Sequence, residues 1–143
     1  MNSDPKPELI GRALGLIDDG DIPALLELLE PSVVWKPPRQ GTLEDVYEGH
    51  DGVRRLFGQL MEAWDSIEHS PMKLVEGEEV TIVVTHIKLH AQASGLDVDE
   101  IWAYAVGIND DGRFHYVEMY TDPEQAVREH SGTVLDSAPN WPS

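Results

Sequence analysis

Residues 98–121 read VDEIWAYAVGINDDGRFHYVEMYT: two runs rich in β-branched and aromatic side chains, each alternating with period two, around Asn109-Asp110-Asp111-Gly112. A connection this short cannot carry a parallel crossover, so the two runs are predicted to form an antiparallel hairpin. The same reading extends toward the N-terminus. Ser94-Gly95-Leu96-Asp97 and Gly77-Glu78-Glu79 separate further candidate strands near 79–92 and 72–76. Everything from Met72 to Thr121 is therefore expected to be one antiparallel meander. After it, Asp122-Pro123-Glu124-Gln125 offers an N-cap, a proline for the first turn and a glutamine at the capping-box position, predicting a short helix to Glu129.

The N-terminal half has a helical period instead. Leu9, Ile10, Ala13, Leu14 and Ile17 predict a helix over 8–19 that ends at Gly20, a residue free to adopt a left-handed cap. Asp21 can cap a second helix with Pro23 in its first turn and Leu25, Leu26, Leu28 and Leu29 on one face, stopped by Pro31. Ser32–Lys36 (SVVWK) reads as a short strand closed by Pro37-Pro38. Asp51 is placed to cap a third helix carrying Val53, Leu56, Phe57, Leu60, Met61, Trp64 and Ile67 at core spacing. Helices first and an antiparallel sheet second is the α+β pattern, with a curved sheet wrapped over the helices. One domain over 1–130 with a flexible tail over 131–143 is expected.

Composition narrows the function. Ten Lys and Arg against 27 Asp and Glu leave a formal charge of −17, which opposes nucleic acid and anionic membrane as partners. There is no cysteine, so disulfides, thiolate nucleophiles and thiolate metal sites are absent. The opening MNSDPKPELIG has no apolar core of an export leader, and no apolar run reaches membrane-span length, so a soluble cytoplasmic protein is expected. No GxSxG, GxGxxG or GK[ST] motif occurs.

The order helix, helix, VVW strand, YEGHDGVRRLF opening a long helix, and strands ending in NDDGRFHYVEMYTDPEQA resembles the SnoaL-like polyketide cyclase family. That family is a branch of the cone-shaped α+β superfamily of ketosteroid isomerase, limonene epoxide hydrolase, scytalone dehydratase and nuclear transport factor. The resemblance covers about residues 8 to 130. Its marks are Gly20-Asp21, Tyr47-Glu48-Gly49-His50, and Gly112 before the strand reaching Tyr120 and Asp122. It implies a cone-shaped half-barrel of mostly antiparallel sheet enclosing a blind, mostly apolar pocket, and a homodimer. It does not carry over a reaction. The isomerase's proton-abstracting aspartate falls at Lys36, and a lysine holds its proton at neutral pH. The isomerase's two oxyanion-hole positions fall near Ala13 and Tyr104. The epoxide hydrolase's aspartate falls at Met119, which cannot activate water.

The chain's own residues supply the candidates. Alternation places Glu100, Trp102, Tyr104 and Val106 on one face of their strand, expected to line the pocket. The same parity places His115, Val117, Met119 and Thr121 together. Tyr104 with His115 would combine a hydroxyl donor with a group titrating near neutrality, as enolisation or dehydration of a carbonyl compound requires. The bland alternative is a core tyrosine and an exposed histidine. His86 and His90 share a face, but i and i+4 in a strand lie roughly 13 Å apart, too far to share an ion, and no metal is expected. Should that face point inward, His86 would meet Tyr104; otherwise it is a polar outer surface. Trp35, Tyr47, Trp64 and Trp102 can wall a cavity or simply complete the core. Asp18, Asp19 and Asp21 read as a solvated acidic turn.

The expected function is thus binding of a hydrophobic small molecule, with cofactor-free isomerisation, cyclisation or dehydration of a carbonyl compound. Tyr104, His115 and His86 are the candidate catalytic residues. Trp35, Tyr47, Trp64, Glu100, Trp102, Val117 and Met119 are the candidate ligand contacts. The alternative is a non-catalytic ligand-binding or protein-interaction module of the same fold.

Overall fold

The computed structural model describes residues 6–38, 43–77 and 79–130. The expected tail over 131–143 lies outside the described residues. Two helices, α1 (Lys6–Asp19) and α2 (Ile22–Glu27), lead into strand β1 (Leu29–Lys36) and the short β2 (Tyr47–Glu48). The long helix α3 (Gly49–Ala63) follows. The chain then runs through β3 (Ser66–Glu76), β4 (Thr81–Ala91), β5 (Leu96–Ile108) and β6 (Phe114–Tyr120) to α4 (Pro123–His130). The six strands form one sheet in the order β2-β1-β6-β5-β4-β3, antiparallel except for the β1–β6 pair. This is the expected α+β half-barrel.

Local chemistry accounts for most boundaries. Gly20 closes α1 at φ 73°, and the Asp21 carboxylate caps α2 by accepting from the Ala24 N–H at 3.2 Å. Three departures from the sequence reading matter. The second helix ends at Glu27, because Leu29 leaves it to pair with Phe114 and the Phe114 N–H donates to the Leu28 carbonyl at 2.9 Å. Tertiary pairing here overrides the leucine-rich helical pattern. The third helix ends at Ala63, so Ile67 is a strand residue facing Leu89 rather than a helical one. Strand β3 accordingly starts at Ser66, six residues before the expected Met72. It tolerates Pro71 because it is the outermost strand and bulges at Met72, between the Pro71–Thr85 and Lys73–Val84 pairs.

The concave sheet face and the first three helices enclose the main core. Leu25, Leu56 and Val83 are fully buried there, and Trp35 meets Phe57 edge-on with ring centroids 5.4 Å apart. Helix α1 lies against β3, and α3 lies against β1 and β2. A smaller apolar cluster of Ile82, Ala103, Ala105, Tyr120 and Ala126 seats α4 on the convex face. None of the described helices is long and apolar enough to cross a membrane.

Candidate functional site

Between α3 and the concave face of the sheet the core is left incomplete, forming a cavity of about 240 Å³. Trp35, Phe57, Leu60, Trp64, Ile87, Trp102 and Met119 supply apolar walls, with Pro37, Pro38 and Leu43 beside them. Two of the three cavity indoles have their N–H groups occupied: Trp35 Nε1 donates to Met119 Sδ at 3.3 Å, and Trp102 Nε1 to Glu100 Oε1 at 2.8 Å. The polar side chains left on the wall are Gln59, His69 and Tyr104. A small, largely apolar chamber with a few convergent polar groups is the usual form of a small-molecule site.

His69 and Tyr104 belong to one hydrogen-bonded chain. Asp18, in the last turn of α1, accepts from the His69 backbone N–H at 2.8 Å through Oδ2 and holds His69 Nδ1 at 2.6 Å through Oδ1. The opposite ring nitrogen, Nε2, lies 2.6 Å from the Tyr104 hydroxyl. The His69 side chain is 1% exposed and Asp18 is 24% exposed, so the chain runs from a partly exposed carboxylate through a buried imidazole to the cavity wall. A carboxylate can only accept, so Asp18 fixes the proton on Nδ1 and leaves Nε2 facing the phenol. Burial pushes the Tyr104 phenol well above its usual range, and the nearby Asp18 charge adds to the effect, so Tyr104 stays a neutral hydroxyl. Asp18 is an acidic group at a helix C-terminus, where the macrodipole disfavours it. That local conflict is offset by its two bonds to His69.

The other polar wall residue is also held. Tyr47, fully buried, accepts from the Glu44 N–H at 2.9 Å and donates to Gln59 Oε1 at 2.5 Å. Arg55 lies over the Tyr47 ring, 5.2 Å from its centroid, and binds the Glu44 carboxylate at 2.9 and 3.2 Å.

The residues named from sequence divide into groups. Tyr104, Trp35, Trp64, Trp102 and Met119 line the cavity together. Val117 lies deeper, beside Tyr104 in a cleft of about 20 Å³ continuous with the core. Tyr47 reaches the cavity only through Gln59. Glu100 is exposed, as the acceptor for Trp102.

His115 and His86 are not brought to Tyr104. A bulge in β6 puts Phe114 opposite Ile108 and Tyr116 opposite Gly107, so His115 is the extra residue and parity changes at that point. Its ring stands over Gly107, Nε2 lying 2.6 Å from where a Cβ would be. His86 pairs with Ile101 on the convex face and binds Asp99, while Val83 is the residue of β4 opposite Tyr104. His90 binds Asp97 at 2.5 Å on the same polar surface. The sequence reading missed His69, Asp18 and Gln59. The alternation of Ile67, His69 and Pro71 into β3 was the available signal for the first, and the dipole conflict for the second. Among the described residues no three His, Cys, Asp or Glu side chains gather in a way that could hold a metal ion.

The comparisons with known proteins agree with this architecture. No curated protein matches the chain. An NTF2-like protein of unknown function from Burkholderia pseudomallei superposes with a TM-score of 0.71 at 19% identity, over 85% of this chain and 93% of that one. TerC, co-crystallised with polyporic acid, superposes with a TM-score of 0.73 at 19% identity, over 88% and 97%. A candidate polyketide cyclase from Sinorhizobium meliloti gives 0.62 at 17% identity, over 78% and 93%. At these identities the likeness is one of fold. The sequence model of the SnoaL-like domain matches residues 10–106, most of the folded region, and the chain belongs to the SnoaL-like domain family.

Proposed function

We propose that the cavity binds a hydrophobic carbonyl compound and that Tyr104, backed by His69 and Asp18, moves a proton on it. The single observation behind this reading is the Asp18–His69–Tyr104 chain, which ends in a hydroxyl facing an otherwise apolar chamber. With His69 neutral, Tyr104 donates to Nε2 and its oxygen can accept a proton from a substrate hydroxyl as its own passes to His69. With His69 protonated, the imidazolium donates to the Tyr104 oxygen, and the phenol proton turns to a substrate carbonyl. Asp18 stabilises the imidazolium in the second state. The two states differ by one proton and a reorientation of one hydroxyl, so the chain can take a proton from, or give one to, an oxygen of the ligand, which is the oxygen half of keto–enol interconversion. That TerC was crystallised with a small molecule supports a small-molecule ligand for this fold. His115 and His86 have no part in this scheme. The exposed apolar side chains Met72 and Ile101 favour a homodimer joined through the convex sheet face.

The test is a thermal-shift and tryptophan-quenching screen of polyketide-like, steroid, terpenoid and aromatic acid ligands, followed by turnover assays on each hit. A ligand at 100 times its Kd raises stability by about 2.7 kcal/mol. Tyr104→Phe should lower turnover at least a hundredfold, and affinity by no more than the roughly fivefold to tenfold of one lost hydrogen bond. Full turnover in that variant would remove Tyr104 from the chemistry, and binding without turnover in the wild type would leave a ligand-binding module.

A further inference from the structure

We infer that Gln59 is a second polar pole of the cavity, a donor that selects ligands carrying an oxygen acceptor away from the Tyr104 end. The inference rests on the cavity being a ligand site and adds the class of ligand: an apolar, ring-sized molecule with two oxygen acceptors rather than one.

The orientation of the Gln59 carboxamide follows from its neighbours. The Tyr47 oxygen already accepts from the Glu44 backbone N–H, a group that can only donate. Its single proton must therefore be given away, and the atom receiving it at 2.5 Å is Gln59 Oε1. The amide nitrogen is the end left over. Arg55 braces the arrangement by clasping the Glu44 carboxylate and covering the Tyr47 ring. Gln59 lines the cavity and is partly buried, and its amide nitrogen is the end that Tyr47 does not take up. A donor placed there rewards a ligand acceptor and is left unsatisfied by a hydrocarbon. The two poles are also anchored independently. Tyr47 sits on β2 at one edge of the sheet and His69 on β3 at the other, so Gln59 and Tyr104 are positioned by opposite edges.

The probes are 1,4-naphthoquinone, with carbonyls at opposite positions of one ring, and naphthalene, with the same shape and no acceptor. The readout is the ratio of their affinities by tryptophan quenching in the wild type, Gln59→Leu and Gln59→Glu. Wild type should favour the quinone. Gln59→Leu should lower the ratio about fivefold to tenfold, the size of one buried hydrogen bond. Gln59→Glu, which keeps an acceptor for Tyr47 and so keeps the local fold, should lower it further because a carboxylate repels the carbonyl. If either variant melts far below wild type, the other carries the test. A ratio unmoved by both variants but lowered by Tyr104→Phe overturns this inference alone. A ratio unmoved by all three, or no binding of either probe, overturns it together with the proposed function.

Discussion

Replacing Asp18 with asparagine tests the hydrogen-bonded chain where its energy is concentrated. The carboxylate makes two bonds, to the His69 backbone N–H at 2.8 Å and to His69 Nδ1 at 2.6 Å, and the imidazole it holds is 1% exposed. Asparagine retains one carbonyl oxygen, so one of the two donors loses its acceptor and faces an N–H group. A hydrogen bond to a charged group contributes about 1.5–3 kcal/mol, and a buried donor left unpaired costs about 1–3 kcal/mol. Because Asp18 is 24% exposed and water can partly replace it, the lower part of these ranges applies, and the net loss should be about 2 kcal/mol. For a chain of this length that corresponds to a fall in Tm of about 6–8 °C. Differential scanning calorimetry at pH 7 measures it directly, with Asp19→Asn as the control for removing an acidic side chain one residue along. A Tm within a degree of wild type, or an equal fall in both variants, would refute the claim that Asp18 holds His69.

Two further predictions concern other parts of the fold. At Gly77 a Cβ would lie 2.7 Å from the His130 carbonyl oxygen and 2.9 Å from that of Val80, both backbone atoms, so Gly77→Ala should destabilise by roughly 1–3 kcal/mol and loosen α4; chemical denaturation and proteolysis near residue 123 would detect it, and an unchanged midpoint would contradict the close packing. On the convex face, the hydrogen bond to Asp97 and its charge raise the His90 pKa above its usual value. The pair therefore supports the fold fully below the unfolded-state pKa and loses that support as pH rises through the higher folded one. An NMR titration of the ring should give a raised midpoint that falls in Asp97→Asn; a midpoint the same in both proteins would show the pair to be ineffective.

The parts of the molecule legible in the sequence are those governed by neighbours along the chain. The period-two runs around Asn109–Gly112 determine the β5–β6 hairpin, and alternation alone placed Trp102 and Tyr104 on the concave face with Met119 opposite. The site's other half depends on contacts no local pattern records. Asp18 and His69 are 51 residues apart, and their meeting depends on α1 lying along β3. His69 was hidden because Ile67 continues the apolar spacing of α3 and Ser70-Pro71 resembles a break, whereas an edge strand with a bulge accepts proline. His115 was assigned to the pocket by parity counted through a bulge, and one extra residue reverses that count. Gln59 reads as an ordinary polar residue of an amphipathic helix until Tyr47 fixes which end of its amide is free.

The central claim is that the chamber beneath α3 receives a ligand oxygen at Tyr104. It is tested most directly by a crystal structure of the protein with the strongest ligand from the thermal-shift screen. The account predicts the ligand inside the cavity, its rings against Trp35, Trp64 and Trp102, and an oxygen within about 2.7–3.1 Å of Tyr104 Oη. A ligand bound on the convex face, or one seated in the cavity with a hydrocarbon edge toward Tyr104, would contradict it.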